Sequence, residues 1–158
     1  MRDEDFERLY GEHAEPLVGF LVYRTGDRAL AEDVLADTFE RVLRARRRFD
    51  PRKGSEKTWL YAIALNCLRD RARRSAAEGR ALERLDPPAP PPAAGAVEER
   101  DAIGRALEVL SGEEREAIAL RYGADLTVPE IARLTGERLT TVEGRVYRAL
   151  RKLREELS

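Results

Sequence analysis

The sequence predicts an all-α protein of two helical domains, the second of which contains a helix-turn-helix. Apolar residues recur at helical spacing along most of the chain, and no segment alternates with period two over any length. The stretch DPPAPPPAAGA near the middle holds five of the eight prolines. Because proline cannot continue a helix, this stretch predicts a linker. We expect residues 1–80 to form the first domain, 81–96 the Pro-rich linker and 97–158 the second domain.

The first two predicted helices are separated by a short break. The first helix ends at Thr25-Gly26, and we expect a bend at Pro16. Asp27 is placed to cap the second helix. The apolar stripe of the first helix comprises Phe6, Leu9, Tyr10, His13, Leu17, Phe20 and Leu21. The second helix carries its polar outer face on Glu32, Asp33, Asp37, Glu40 and Arg41.

A third helix follows the irregular stretch from Phe49 to Ser55, which Pro51 and Gly54 interrupt. Ser55 can cap this helix. Its apolar side is predicted to comprise Trp59, Leu60, Ile63, Ala64, Cys67 and Leu68. The pattern therefore predicts that Trp59 packs in the core. Tyr61 lies off this apolar face, which predicts that its ring is accessible.

The second domain begins with a predicted helix over Val97 to Leu110. Ser111 and Glu114 then form a capping box that opens a helix to Tyr122. A second capping box, Thr127 with Glu130, opens the first helix of a helix-turn-helix, and Gly136 ends it.

The last helix is predicted to begin with a capping box of Thr140 and Glu143. Its buried face comprises Val142, Val146, Ala149, Leu150, Leu153 and Leu157, and its other face carries Arg145, Arg148, Arg151 and Lys152. This is the layout of a helix-turn-helix whose second helix enters the major groove of DNA. A helical hairpin with a solvated basic face fits the same segment.

The net charge of −1 conceals an uneven distribution. Residues 1–40 hold 4 basic and 11 acidic side chains, net −7, whereas residues 41–80 hold 13 basic and 4 acidic, net +9. Residues 81–120 are acidic, net −5, and residues 121–158 are mildly basic, net +2. A basic block of this kind indicates phosphate binding, and the acidic first block is a candidate surface for a basic protein partner.

The composition argues against several classes of protein. One cysteine excludes a disulfide framework, and Cys67 lies in an apolar run, which predicts that it is buried. The single histidine, His13, has no acidic residue three positions before it, so we expect neither a metal site nor a cofactor. The chain also lacks a glycine-rich phosphate loop and a nucleophile with its base, which argues against an enzyme. The acidic N-terminus and the short apolar runs predict a cytoplasmic protein without membrane insertion.

Three blocks of the chain resemble conserved regions two and four of bacterial sigma factors. They read AEDVLADTFERVLR (31–44), FDPRKGSEKTWLYAIALNCLRDRARR (49–74) and LTVPEIARLTGERLTTVEGRVYRALRKL (126–153). Their order around a short linker resembles the extracytoplasmic-function group. The resemblance implies a sigma factor that binds core RNA polymerase, directs it to promoter DNA and helps to open that DNA. It also implies an anti-sigma factor as a restraining partner.

The resemblance assigns a role to each block. The 31–44 helix resembles the surface that docks on the coiled-coil clamp of the largest polymerase subunit. The matching positions, which we name the docking face, are Asp33, Asp37, Thr38, Glu40 and Arg41. Phe49 to Thr58, which we name the basic loop, resembles the pocket for a base flipped from the minus-ten element. The residues implied to contact the opened strand or its backbone are Arg52, Lys53, Lys57, Tyr61, Asn66, Arg69, Arg71, Arg73 and Arg74.

The last helix resembles the one that reads the minus-thirty-five element. The implied contact residues are Thr140, Thr141, Glu143, Gly144, Arg145, Tyr147 and Arg148. We expect Arg148 to supply the main specific contact, to a guanine, and Arg145 to be a phosphate or structural arginine. Glu143 either caps the helix or accepts from a cytosine amino group.

The chain departs from the family pattern in two places. Glu56 stands where an aromatic or apolar residue is frequent, and Glu143-Gly144 stands where a basic residue followed by serine is common. One alternative function is a helix-turn-helix transcription regulator that acts without being a polymerase subunit. The 49–74 block argues against that alternative, because such a regulator has no need of a strand-opening region.

Overall fold

The computed structural model describes residues 1–77 and 106–157, and within these ranges every regular element is helical. The N-terminal half consists of α1 (Asp3–Thr25), α2 (Arg28–Ala45), a 3-10 turn (Arg46–Arg48) and α3 (Glu56–Ala77). The C-terminal half contains α4 (Gly112–Ile118), a π-helical turn (Ala119–Gly123), α5 (Val128–Thr135) and α6 (Leu139–Leu157). The linker prediction, residues 81–96, and most of the predicted helix over Val97 to Leu110 lie outside the described residues.

The helix ends of the N-terminal half follow the local sequence signals. Gly26 adopts a left-handed conformation with φ 70° and ends α1, where a side chain would be strained. The Asp27 carboxylate accepts a hydrogen bond from the Leu30 amide at 3.1 Å, and Ser55 Oγ accepts one from the Thr58 amide at 3.1 Å. The predicted caps of α2 and α3 are therefore confirmed.

Of the two aromatic residues of α3, Trp59 packs against the core as predicted, but the prediction of an accessible Tyr61 ring is wrong. Tyr61 is only 1% exposed and packs against Phe20, with ring centroids 5.5 Å apart. Burial raises the pKa of Tyr61 to about 12. Trp59 is half-buried and lies at the edge of the core, where its ring packs against Phe49 with the two ring centroids 5.2 Å apart. The core of three packed helices is deep enough to enclose a residue beside the main apolar stripe of α3, which the helical spacing did not reveal.

The docking face is also smaller than predicted. Thr38 is fully buried, and its hydroxyl donates to the Val34 carbonyl at 2.6 Å, so it faces the core between α2 and α3. Cys67 lies on α3 beside it and is buried as predicted. Burial raises the pKa of the Cys67 thiol, which disfavours the reactive thiolate.

The two capping boxes predicted before the turn of the helix-turn-helix are both present. Ser111 and Glu114 bond each other's backbone amides at the start of α4, and Thr127 and Glu130 do so at the start of α5. The helix opened by Ser111 changes to π geometry from Ala119 onward. Gly136, with φ 71°, ends α5 as predicted.

The prediction for the start of the last helix is wrong. Helix α6 begins at Leu139, and the Arg138 carbonyl accepts the first helical bond, from the Val142 amide at 3.2 Å. Thr140 therefore lies inside the first turn, and within the described residues Glu143 has no capping bond. The buried face of α6 is formed by Val142, Val146 and Ala149, whereas Leu157 is 55% exposed.

The two halves contact each other through apolar side chains, which form one hydrophobic cluster with members from both, and through polar pairs. Thr58 Oγ1 at the start of α3 donates to Glu130 Oε2 at the start of α5, at 3.1 Å. Arg24 of α1 pairs with Glu116 of α4 at 3.1 Å. The hydrogen bonds from the Thr127 backbone and then from Thr58 hold the pKa of Glu130 below its usual value. Helix α5 thus lies against the basic loop.

No described helix combines the length and the hydrophobicity that a bilayer crossing requires.

We predict that Tyr61→Ala lowers the free energy of unfolding by about 3–5 kcal/mol, because it removes a fully buried aromatic ring. Tyr61→Phe keeps the ring and should cost far less. Asn66→Ala, at an exposed position of the same helix, should change stability by no more than about 0.5 kcal/mol. Urea unfolding followed by circular dichroism measures all three. Equal costs for Tyr61→Ala and Asn66→Ala would contradict the buried placement.

We predict that Thr58→Val loosens the contact between the halves. The Thr58 hydroxyl bonds Ser55 within its own half and Glu130 in the other half. Loss of the bond to Glu130, worth about 0.5–1.5 kcal/mol, should raise the population of separated halves roughly 2- to 10-fold. Spin labels at positions 29 and 154, in a Cys67→Ala background, report the distance distribution. Thr135→Val is the matched control, because the Thr135 hydroxyl bonds only within α5. An unchanged distribution in Thr58→Val would show that this bond does not hold the halves together.

Candidate nucleic-acid and polymerase interface

The docking face is built on α2 and is held by arginines of α3. Arg71 Nε donates to Asp37 Oδ2 at 2.9 Å, and its Nη1 lies 3.9 Å from Asp33. Arg41 of α2 pairs in the opposite sense, with Asp70 of α3 at 2.9 Å. These cross-helix pairs fix the orientation of α2 against α3.

The members of the docking face differ in how accessible they are. The Asp33 and Glu40 side chains are 66% and 57% exposed, whereas Asp37 is 32% exposed because Arg71 covers it. Glu40 pairs with Arg44 one turn along the same helix. The accessible negative charge of the docking face is therefore concentrated on Asp33 and Glu40.

The basic loop presents cations to solvent. Arg52 has a 90% exposed side chain and pairs with Asp50, which itself accepts the Arg52 amide at 3.0 Å. Hydrogen bonds from the Arg52 amide and guanidinium lower the pKa of Asp50. Lys53 is exposed and Lys57 is half-buried. The Lys53 carbonyl accepts a long bond, 3.5 Å, from Arg133 of α5.

The predicted strand-contacting residues of α3 divide into accessible and inaccessible groups. Asn66, Arg69 and Arg74 are exposed, and Arg73 is exposed while pairing with Asp70 at 3.1 Å. Tyr61 is buried and cannot stack on a base without unfolding of the helix packing. Beside the basic loop the half-buried rings are instead Trp59 and Phe49, whose centroids are 5.2 Å apart.

The unusual Glu56 has a structural partner. Its two carboxylate oxygens accept from Arg8 of α1 at 2.9 and 2.8 Å. Both bonds come from Arg8 Nη2; they join the start of α3 to α1, and the same hydrogen bonding raises the pKa of Arg8. Glu56 is therefore bound to α1 rather than presented alone to solvent.

Helix α6 turns a continuous polar face outward. Its buried side is formed by Val142, Val146 and Ala149, and the residues on or beside the outward side are Thr140, Thr141, Glu143, Gly144, Tyr147 and Arg148. Tyr147 is 67% exposed, the largest exposed fraction among the large hydrophobic side chains of the described residues. An exposed aromatic ring with an arginine next to it suits contact with base edges and sugars.

Arg145 lies at the edge of this face and is ion-paired. Its side chain is 18% exposed, with Glu137 at 2.5 Å and Glu113 at 3.3 Å. It links α6 to the turn before it and to the start of α4. This geometry suits a structural arginine, because its guanidinium is already occupied by two carboxylates.

The buried Glu114 carboxylate approaches α6 from the other side. Its Oε1 accepts from Lys152 at 2.8 Å and from the Ser111 amide at 2.9 Å, and its Oε2 lies 3.9 Å from Arg148 Nε. Burial raises the pKa of Glu114, but the bonds from Lys152 and Ser111 outweigh it, so that the net pKa is lowered. Glu114 is thus an ionised anchor beneath the basic side of α6.

Two exposed arginines near the polar face of α6 were not in the predicted contact set. Arg138 precedes the helix and Arg151 follows Tyr147 by one turn. Among the described residues neither guanidinium has a carboxylate partner, so both are available to phosphates. Arg151 lies on the basic face predicted for the last helix, but the family resemblance gives it no contact role. Arg138 required knowledge of where the helix begins.

Within residues 1–77 and 106–157, no cluster of three histidine, cysteine or carboxylate side chains has a geometry that could hold a metal ion.

Comparison with known proteins matches both halves of the chain to one family. The Sigma-70 region 2 family model matches residues 9–78, and the Sigma-70 region 4 model matches residues 100–153. The first match contains the docking face and the basic loop, and the second contains the helix-turn-helix.

Full-length relatives and solved structures agree with these matches. The chain is 35% identical to the RNA polymerase sigma factor CarQ of Myxococcus xanthus, covering 96% of this chain and 88% of that protein. It is 32% identical to the ECF RNA polymerase sigma factor RpoE of Cereibacter sphaeroides, covering 99% and 89%.

Two solved structures have a similar fold. The sigma factor RpoE of Bartonella quintana, in complex with the anti-sigma factor NepR, matches with a TM-score of 0.76 at 27% identity, covering 98% and 97% of the two chains. CnrH in complex with the cytosolic domain of CnrY matches with a TM-score of 0.71 at 28% identity, covering 99% and 89%. The region 2 and region 4 matches, in this order along the chain, and the relatives matched over most of their length show that the chain belongs to the extracytoplasmic-function group of RNA polymerase sigma factors.

Proposed function

We propose that this sigma factor divides its work among three surfaces: the docking face of α2, the basic loop with α3, and the outward face of α6. It binds core RNA polymerase, directs it to specific promoters and assists their opening. The observation that carries the division is that the two basic, DNA-facing surfaces lie in different halves of the chain, while the docking face of α2 presents the exposed carboxylates Asp33 and Glu40. The energy for strand opening comes from binding, and the protein carries out no enzymatic reaction of its own.

Polymerase docking is assigned to the accessible carboxylates of α2. Asp33 and Glu40 are mostly exposed and suit a basic partner such as the clamp of the largest subunit. Asp37 and Arg41 act by orienting α2 through their pairs with α3, and Thr38 by packing beneath it.

The minus-ten element is assigned to the basic loop and the exposed side of α3. Arg52 and Lys53 attract the backbone of the opened strand, and Asn66 offers an amide that can pair with an unstacked base. Arg69, Arg73 and Arg74 continue the positive charge along α3.

Both DNA surfaces can act together only if the halves move apart. In the structure the halves are in contact, and Glu130 of α5 accepts a hydrogen bond from Thr58 at the end of the basic loop. The eleven residues of the Pro-rich stretch could span roughly 34 Å if extended. That reach is about one turn of a DNA duplex, which allows each half to reach its own promoter element.

We further propose that an anti-sigma factor restrains this protein in the cytoplasm. A sigma factor of similar fold, RpoE, was solved in complex with the anti-sigma factor NepR, and CnrH, also of similar fold, was solved in complex with the cytosolic domain of CnrY. A regulator that acts without polymerase is disfavoured, because the region 2 match covers the docking face and the basic loop.

The deciding experiment is transcription from a randomised promoter library by core polymerase with and without the protein. We expect transcripts from a defined promoter class only when the protein is present. DNA binding by the protein alone, with no effect on transcription start sites, would support the independent regulator instead.

We predict that the double charge reversal Asp33→Lys with Glu40→Lys weakens binding to core polymerase at least about tenfold, as loss of close interfacial charge pairs can. Both side chains are mostly exposed, so the fold should survive. Glu4→Lys with Glu7→Lys on α1 makes the same change in net charge at exposed positions and is the control. Surface-immobilised polymerase gives the affinities. Equal weakening by both pairs would mean that only the net charge matters.

We predict that Arg148→Ala and Arg145→Ala have different effects. Arg148→Ala should lower the preference for one upstream base roughly 5- to 150-fold, the range of a bidentate base contact. Arg145→Ala should mainly lower stability, because it leaves Glu137 and Glu113 unpaired. Sequence selection with the holoenzyme and thermal unfolding measure the two effects. A wild-type consensus at full affinity with Arg148→Ala would remove Arg148 from base reading.

A further inference from the structure

A glycine lies within the recognition helix. Gly144 is helical and half-buried, one turn inside α6. Glycine is among the poorest helix formers, so the residue weakens the element that has to be rigid for base reading. The backbone at Gly144 does not adopt a left-handed conformation that would require glycine.

The space beside Gly144 is taken by the side chain of Arg148. A Cβ atom added at position 144 would stand 3.0 Å from Arg148 Nη1 and 3.7 Å from Cζ. Helical side chains point toward the N-terminus and overlie the residue four positions earlier. The Arg148 guanidinium therefore lies over the backbone of Gly144, about one 5.4 Å turn nearer the start of α6 than its own Cα.

A buried carboxylate stands near the same arginine. Glu114 Oε2 is 3.9 Å from Arg148 Nε, and the Glu114 side chain is only 6% exposed. Glu114 is itself fixed by the Ser111 amide and by Lys152. Its charge cannot move away from Arg148 without breaking the cap of α4.

We propose that Gly144 and Glu114 determine promoter specificity by positioning Arg148. Because Gly144 has no side chain, the Arg148 guanidinium can occupy the space beside it. The fixed Glu114 carboxylate restricts the rotation of the Arg148 side chain. This inference rests on the proposed function, because it assumes that α6 reads the upstream element. It makes Gly144 a positioning residue that acts through Arg148.

The arrangement serves base reading for two physical reasons. The first turns of a recognition helix contact the base edges, and the shift toward Gly144 brings the guanidinium to that end. A bidentate bond to guanine also needs one orientation of the planar group, and a preoriented arginine loses less side-chain freedom on binding. Together these reasons explain how α6 can use glycine at a position where a larger polar side chain would otherwise face the groove.

The test compares Gly144→Ala with wild type in two measurements. Alanine is the better helix former, so the variant should unfold at a higher temperature. Its methyl group would stand 3.0 Å from Arg148 Nη1, so the guanidinium has to shift by a few tenths of an ångström. The preference of the holoenzyme for the base read by Arg148 should therefore fall by about threefold, a part of the range for a bidentate contact. Gly11→Ala is the control, because Gly11 lies at an exposed position of α1 with open space around it. This variant should leave promoter preference unchanged.

A double-mutant cycle identifies the route of the effect. In the Arg148→Ala background, Gly144→Ala should cause no further loss of base preference, because the group that it displaces is gone. Glu114→Gln keeps an acceptor for the Ser111 amide and removes the charge, and it should lower preference at the same base only.

The outcomes separate this inference from the proposed function. A wild-type holoenzyme with no upstream base preference would overturn the proposed function and the inference together. Wild-type preference that persists in both Gly144→Ala and Glu114→Gln would overturn the inference alone. A loss of preference in Gly144→Ala that is equally large in the Arg148→Ala background would also overturn it, because the effect would not pass through Arg148.

Discussion

The carboxylates at the third position of α4 and α5 stabilise helix starts and also join helices. Glu130 accepts the Thr127 amide with one oxygen and the Thr58 hydroxyl with the other. Glu114 accepts the Ser111 amide and Lys152, and it stands next to Arg148. A capping glutamate is held in place by the backbone, so its remaining hydrogen-bonding capacity points in a fixed direction. The orientation of α6 against α4, and of α5 against the basic loop, depends on this constraint.

Charge pairing decides which of the many ionised side chains can meet a partner. The carboxylates and arginines of α2 and α3 neutralise one another across the helix interface, as Asp37 with Arg71 and Arg41 with Asp70 illustrate. Exposed pairs of this kind add little to stability, but they hold long side chains in one orientation. Charges that are left accessible, such as Asp33 on α2 and Arg151 on α6, are those that a polymerase subunit or a phosphate can approach.

The helix-turn-helix gains its reading surface from packing on its far side. Val142, Val146 and Ala149 bury one side of α6, so that the opposite side must face outward. Arg145 is bound to Glu137 and Glu113 and fixes the rotation of the helix about its own axis. Arg148 can then be offered to DNA while Arg145 stays in the scaffold, although the two arginines are only three residues apart.

The sequence by itself determined the all-helical class and most helix ends. The caps at Asp27, Ser55, Ser111 and Thr127 rest on bonds between a side chain and a backbone amide three residues away. Such bonds depend only on neighbours in the chain, so the local pattern is sufficient to predict them. The family and its order of regions were also readable, because the motifs extend over most of the chain.

Only the tertiary structure decided which side chains of those motifs are accessible. Tyr61 and Thr38 belong to the predicted contact set but are buried, because α1, α2 and α3 enclose more of each helix than a single apolar stripe indicates. The partners of Glu56 and Glu114 lie 48 and 38 residues away in the chain, so no local pattern could pair them. The burial and the ion pairs of a side chain depend on neighbours that only the fold brings together. For that reason the tertiary structure decides which motif residues are accessible to a partner.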